Sequence, residues 1–219
     1  MKSATMAKSE KAYLPAAGRD WLLPFYDPMV KLLGADAAQK QLLEQASLQT
    51  GQRVLDIGCG TGRLTVLIKR IHPDLSVNGV DPDAKALARA RAKATRSGLA
   101  VEFTQGFGDD LPYTDAGFER VFSAFMFHHL PSEEKLGVLR EVHRVLAPGG
   151  EFHLLDFEGH DHGGHGLLRL FHAAEQLKDN TEERVIAVMR QAGFRDAKKT
   201  GRRRILIGTV AYYRGTVEG

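Results

Sequence analysis

The sequence predicts an α/β fold, a doubly wound and mostly parallel sheet that ends in an antiparallel hairpin. Three observations predict it. Strand-like and helix-like segments alternate from Gln52 onward, and repeated strand–helix–strand units imply parallel strands joined by crossovers. The run Val121-Phe122-Ser123-Ala124-Phe125 is almost wholly apolar, as in a strand covered on both faces. The last two strand-like segments, 194–200 and 204–213, are joined by a link too short for a parallel crossover, so they are expected to pair antiparallel.

Each element has a local reason. Residues 1–12 are small and polar and read as a frayed terminus. Residues 13–33 carry Tyr13, Trp21, Phe25 and Tyr26, interrupted by Pro15, Pro24 and Pro28. The prolines forbid one long helix, and the aromatics need a surface to cover. With a helix over 35–46, between Gly34 and the turn Thr50-Gly51, they form an N-terminal helical lid (13–48).

The repeating part follows. A strand at 53–57 ends in glycines, a helix at 62–71 stops near Pro73, and a second strand covers 75–80. Asp83 is placed to cap a helix running through Ser97, with Gly98 as its stop. Strands at 100–104 and 120–127 come next. Ser132 is expected to cap a helix with Glu133 and Glu134 in its first turn and the stripe Leu136, Leu139, Val142, Val145 and Leu146. Pro148-Gly149-Gly150 turns into a strand at 151–157. Asn180 and Glu183 fit a capping box for a helix to Ala192.

Composition bounds the function. With 219 residues, 43% hydrophobic and 26% charged, the chain reads as one domain (1–219) with a substantial core. No run approaches the roughly 20 apolar residues of a membrane helix, and the first residues lack the apolar stretch of a secretory signal, so a cytoplasmic location is expected. The single cysteine, Cys59, rules out an intrachain disulfide framework. A formal charge of +3 is too small to argue for nucleic acid.

The densest chemical signal is Val54-Leu55-Asp56-Ile57-Gly58-Cys59-Gly60-Thr61-Gly62-Arg63-Leu64. Alternating glycines between a buried strand and a helix let a ligand approach the backbone. The dinucleotide fingerprint needs a small third residue where Arg63 stands. Asp56 repels phosphates but attracts an ammonium or sulfonium charge. Asp81, ending the second strand before Pro82, can accept hydrogen bonds from two ribose hydroxyls. Together these indicate a nucleoside-type cofactor without a pyrophosphate.

At residues 50–157 the chain resembles the class I S-adenosylmethionine-dependent methyltransferases, and within them the broad group containing the quinone-biosynthesis C-methyltransferases. The resemblance rests on VLDIGCGTGRL (54–64), VNGVDPD (77–83), DDLPYTDAGFERVFSAFMFHHLP (109–131) and LREVHRVLAPGGEFHLLDF (139–157). It implies a seven-stranded, Rossmann-like sheet with a reversed last strand and S-adenosyl-L-methionine as cofactor, with S-adenosyl-L-homocysteine as product. It places Asp56, Gly58 and Gly60 around the methionine end, with Cys59, Thr61 and Gly62 in the same loop, and Asp81 on the ribose. Relatives commonly read Gly-Asp-Ala where this chain has Gly106-Phe107-Gly108. The acid that contacts adenine is then missing unless Asp109 or Asp110 substitutes. Either Phe107 stacks on the adenine, or it packs in the core while main-chain groups read the base.

The reacting centre of a doubly wound sheet lies beyond the carboxyl ends of its strands. The fourth strand, ending at Phe127-His128-His129-Leu130-Pro131, aims these side chains near the methyl group, with Phe125 before them expected at the cofactor; either histidine can orient a nucleophile or accept its proton. The segment Glu158-Gly159-His160-Asp161-His162-Gly163-Gly164-His165-Gly166 carries three histidines on a glycine-rich stretch. It reads as part of a substrate lid (158–179, with a helix over 167–177) rather than a metal site. Tyr13, Trp21, Phe25, Tyr26 and Phe171 then line an apolar acceptor cavity. Two basic stretches stand out: Lys85, Arg89, Arg91, Lys93 and Arg96 on one helix, and Lys198-Lys199 with Arg202-Arg203-Arg204 flanking a turn. Both read as solvated or edge-protecting, with an anionic surface as the other reading. The sequence lacks the Asn/Asp-Pro-Pro-aromatic signature of base methylation.

The expectation is a methyltransferase acting on a small, partly apolar molecule, with no nucleic-acid partner and no integral membrane association. The competing readings are methylation of a lipid headgroup at a membrane surface and a non-catalytic cofactor-binding protein. Neither the acceptor atom nor the oligomeric state is legible.

Overall fold

In the computed structural model, residues 34–159, 180–206 and 208–219 are described. The elements are α1 (Ala35–Gln45), β1 (Arg53–Ile57), α2 (Arg63–Ile71), β2 (Ser76–Asp81), α3 (Ala84–Arg96), β3 (Glu102–Gln105), β4 (Phe118–Ala124), α4 (Ser132–Val145), β5 (Leu146–Phe157), α5 (Glu182–Gln191), β6 (Arg195–Ile205) and β7 (Gly208–Thr216). One seven-stranded sheet has the order β3-β2-β1-β4-β5-β7-β6. β1 to β5 run parallel, and β7 is inserted antiparallel between β5 and β6. The order reverses between β1 and β4, and a doubly wound sheet opens its ligand crevice at such a switch point.

Each face of the sheet carries its own core. On one face Leu42, Leu64 and Ile68 of α1 and α2 pack over Val54, Phe122 and Tyr212. On the other, Val138, Leu139 and Val142 of α4 and Met189 of α5 pack over Leu55, Val121 and Leu154. The central strands are apolar on both faces because both are covered. Asp83 caps α3 as expected, its Oδ1 accepting from the backbone of Lys85 and Ala86 (2.8 and 3.2 Å).

Several expectations shift. β4 ends at Ala124, not at 127, and a short 3-10 turn covers Phe127–His129. Ser132 is the first helical residue of α4, with Pro131 at the N-cap. The missing N–H of a proline costs a helix nothing at its start. β5 begins at Leu146, and the expected turn at Gly149 (φ 74°) lies inside it as an irregularity in the pairing with β4. Thr181, not Asn180, stands at the N-cap of α5. The Asn180 side chain is taken up elsewhere: it donates to the Phe157 carbonyl (2.9 Å) and accepts from buried Lys135 (3.1 Å). The hairpin turn lies beyond Ile205, so Arg202, Arg203 and Arg204 belong to β6 rather than flanking the turn.

No described helix is long and apolar enough to cross a membrane. Within 13–48, residues 13–33 lie outside the described residues, as do 160–179 of the expected substrate lid.

Candidate active site

The loop after β1 is built by backbone geometry. Gly58, Gly60 and Gly62 have φ of 66°, 52° and 73°, the left-handed region that side chains disfavour. The amides of Gly58 and Cys59 both donate to the Val80 carbonyl (2.9 and 3.1 Å), and the Gly60 amide donates to Asp81 Oδ2 (2.8 Å). The loop is thus folded back on the end of β2. A Cβ on Gly58 would lie 2.3 Å from Met126 Cγ, so the side chain of the β4 exit occupies the space that glycine leaves. Gly62 has another task. It precedes α2, and a Cβ there would meet Ala90 of α3 at 2.8 Å. Lys93 of α3 donates to the Thr61 carbonyl (2.8 Å), so one member of the basic helix is spent on holding this loop.

Two acids sit under the loop. Asp56 is 1% exposed and accepts from the Thr65 hydroxyl (2.6 Å). Burial pushes its carboxyl up to about 7; the Thr65 bond opposes this and nearby Asp81 adds to it. Asp81 is buried, and burial raises its carboxyl too, although the amides of Asp83 and Gly60 favour its charged form. Burial also drives the Cys59 thiol well up, reinforced by the same two acids. That fits a loop filler and not a nucleophile.

These groups wall a cavity of about 350 Å³. Asp56, Gly58, Cys59, Gly60 and Thr61 form one side; Asp81 and Pro82 form the next. Phe107, Gly108, Asp109 and Phe125 line it as well. Gly62 does not reach the cavity. Phe107 is half-buried on the wall and belongs to neither core cluster, so the core-packing reading does not hold. Of the two acids after it, Asp109 lines the cavity and Asp110 is exposed.

The exit of β4 is built by side chains. Phe125 takes φ 60° although it is not glycine, an outlier of the kind found at functional sites. Its amide donates to the Leu155 carbonyl (2.9 Å), and its ring lies 5.4 Å from that of Phe157. Asp156, at the end of β5 and wholly buried, clamps the next turn. It accepts from the His128 amide (2.9 Å) and the Phe157 amide (2.6 Å) and pairs with His128 Nδ1 (2.6 Å). Burial alone would raise the Asp156 carboxyl; the His128 imidazole and these hydrogen bonds outweigh it and hold the carboxyl below its ordinary value.

The two histidines therefore separate. His128 is buried behind the wall, whereas His129 lines the cavity, its ring centroid 4.0 Å from that of His128. Burial, then the neighbouring His128, lowers His129 to about 4, so its imidazole is neutral across the physiological range.

A family profile described as "Methyltransferase domain" matches residues 54–150. Demethylmenaquinone methyltransferase of Thermus thermophilus is 37% identical over 150 residues, which are 67% of this chain and 67% of that protein. The chain belongs to the class I S-adenosylmethionine-dependent methyltransferases. The 27-O-demethylrifamycin SV methyltransferase of Amycolatopsis mediterranei is 36% identical over 112 residues, 50% of this chain and 40% of that one. The chain spans between 51 and 57% of the length of three further curated relatives. Among solved structures, a SAM-dependent methyltransferase from Aquifex aeolicus superposes with a TM-score of 0.66 at 22% identity, covering 86% of this chain and 92% of that one. Phosphoethanolamine N-methyltransferase 2 of Haemonchus contortus, in complex with S-adenosyl-L-methionine, gives 0.79 at 16% identity over 93% of this chain and 58% of that one. At these identities the structural likeness speaks for the fold.

The methyltransferase cavity fits the cofactor of its family. Each oxygen of Asp81 accepts one backbone hydrogen, and a carboxylate offers about four acceptor positions, so two remain for vicinal hydroxyls. A Cβ on Gly106 would come within 3.2 Å of Pro112 and Val80, so the chain stays close beside the Phe107 wall. Asp56 adds a second carboxyl to the same wall.

Sequence reasoning missed several wall residues. Gln39 of α1 and Arg63 both line the cavity, and Arg63 is ion-paired with Asp36 of α1. Met126 and Glu134 line it as well. Gln39 had no local signal, since α1 carries no motif; Glu134 read as a helix-start acid, and Arg63 and Met126 stood inside motifs without a wall role. The expected acceptor residues Tyr13, Trp21, Phe25, Tyr26 and Phe171 lie outside the described residues, as do His160, His162 and His165.

Proposed function

We propose that this methyltransferase acts on a small, partly apolar molecule by direct in-line methyl transfer. One observation carries the reading: a single cavity joins the cofactor loop and Asp81 to an exit walled by Phe125, Met126, Leu130 and Pro131. An acceptor entering from that side meets mainly apolar side chains, as pockets for lipophilic small molecules do. The relatives named for demethylmenaquinone and for 27-O-demethylrifamycin SV support an acceptor of this class. S-adenosylmethionine, when bound, supplies an activated methyl on a sulfonium centre.

The chain supplies the rest. Asp81 would hold the ribose, Phe107 and Asp109 the adenine, and Asp56 the positively charged end. The apolar β4 exit excludes water and aligns the acceptor. Neutral His129 offers a lone pair to the acceptor's hydrogen. So weak a base orients that hydrogen first and takes the proton only as methylation makes the acceptor acidic. His128 and Asp156 fix the turn that carries His129, as positioning residues.

The test is a methylation assay over quinols, phenols, macrolide-like alcohols and phosphoethanolamine, with binding of S-adenosylhomocysteine measured by calorimetry. Turnover of an apolar acceptor that drops about 100-fold in His129→Ala, with unchanged cofactor affinity, is the expected result. Preferred turnover of phosphoethanolamine would replace the acceptor class. Binding without turnover of any acceptor would leave a cofactor-binding protein.

A further inference from the structure

The β6–β7 hairpin has features that the cofactor site does not use. Arg202, Arg203 and Arg204 are consecutive, all exposed, on the edge strand. Successive residues of a strand point to opposite faces, so their guanidinium groups straddle the edge. Arg203, on the α1 face, donates to Gln41 (3.0 Å). Among the described residues no carboxylate pairs with any of the three. Glu158 and Glu182 are engaged with Lys199, and Asp36 with Arg63, while Glu44 of α1 is exposed. Immediately beyond them Leu206 is 75% exposed, the most exposed large apolar side chain of the described chain. Basic residues on an edge guard against strand addition, but that purpose is undone by placing a bare leucine beside them.

Register sets where this tip lies. Ile205 pairs with Gly208, and Val210 with Phe157 at the carboxyl end of β5. The tip therefore lies at the end of the sheet where the cavity opens. α1 bridges the two, with Gln39 in the cavity wall and Gln41 on Arg203.

We infer that the hairpin tip is a docking surface for a lipid bilayer containing anionic lipid. The three arginines meet the headgroup charge and Leu206 enters the interfacial layer. A basic cluster beside an exposed apolar side chain suits a bilayer, which offers both anionic charge and hydrocarbon; a nucleic acid offers only the charge to this pairing. Docked in this way, the protein turns its cavity end toward the membrane. The orientation rests on the acceptor reading above, since a partly apolar acceptor concentrates in the bilayer; the docking itself does not.

The experiment is co-sedimentation of the full chain with vesicles of phosphatidylcholine, with and without phosphatidylglycerol. Binding is expected only to the mixed vesicles and weakens as salt rises. Arg202→Gln and Arg204→Gln each lower the partition coefficient about fivefold. Leu206→Ser removes the part that survives salt. None of the three changes turnover of a water-soluble acceptor, because none lines the cavity. Equal binding to neutral vesicles, no binding to mixed ones, or indifference to these substitutions overturns the inference. So does retention on polyuridylate that matches vesicle binding and ignores Leu206→Ser, which would name nucleic acid as the partner. Docking on mixed vesicles by a protein that methylates no apolar acceptor keeps the docking and removes the acceptor reading.

Discussion

The exits of β1 and β4 lie side by side in the sheet and wall the same cavity, yet they are made in opposite ways. After β1 the chain turns through left-handed glycines, and its amides are tied to Val80 and Asp81 of the neighbouring strand. After β4 the chain also turns left-handed, but at Phe125, and the turn is held by the buried carboxylate of Asp156. The first exit omits side chains so that neighbours can pack against its backbone, Met126 at Gly58 and Ala90 at Gly62. The second fills space with Phe125, Met126 and His129.

Removing the clamp of the second exit is the strongest way to break the comparison. Asp156→Ala leaves two buried amides and His128 without their acceptor, and about 3 kcal/mol or more of stability is lost. Urea denaturation reads this, and Asp156→Asn recovers part of it. Next is Gly58→Ala in the first exit. The left-handed φ and the clash with Met126 together cost about 2–3 kcal/mol. Adding Met126→Ala returns only part of the clash, because the Met126 Cβ still stands 2.7 Å from the new Cβ; thermal unfolding of the four proteins in the cycle reads that part.

The charge of the first exit is tested by pH. With the folded Asp56 carboxyl raised to about 7 from an ordinary 3.8, the folded chain keeps a proton that the unfolded chain gives up between those values. Stability from this group therefore falls as pH rises through that window and is constant above it. A cationic ligand favours the ionised form, so cofactor affinity rises about tenfold from about pH 6 to about pH 8. Calorimetry should show this rise in the parent and a flat response in Asp56→Asn. The smallest effect sharpens the comparison by making the second exit resemble the first. Phe125→Gly relieves the left-handed strain, loses ring contact with Phe157, and leaves stability within about 1 kcal/mol. Acceptor turnover should fall while S-adenosylhomocysteine affinity stays.

The two exits also differ in how far the sequence shows them. Glycine spacing, the strand-end acid and the helix cap at Asp83 are local, so the first exit was readable almost to the residue. The second was placed as continuing strand, because Val121 to Phe125 has no breaker and nothing local announces a left-handed phenylalanine. Its clamp, Asp156, lies 28 residues from His128 in sequence, and only folding brings the pair together. The same reason hid Gln39 and the Arg63–Asp36 pair. In the hairpin the antiparallel pairing was legible from the short link, but the turn was placed too early: three arginines resemble a loop in composition while forming an edge strand that needs no apolar outer face.

The bond from the Tyr212 hydroxyl to the Ala38 carbonyl, at 3.2 Å, joins positions 174 residues apart. It gives the cavity a place in the order of synthesis. A chain emerging from the ribosome makes the glycine loop, Asp81 and the β4 exit well before β7 exists. The helix that carries Gln39 is fully seated only when the last strand has slotted between β5 and β6. A fragment ending ahead of β7 would hold every recognisable motif of the family and still have an open wall. For this protein, an intact set of motifs in a truncated product is no sign of an intact site.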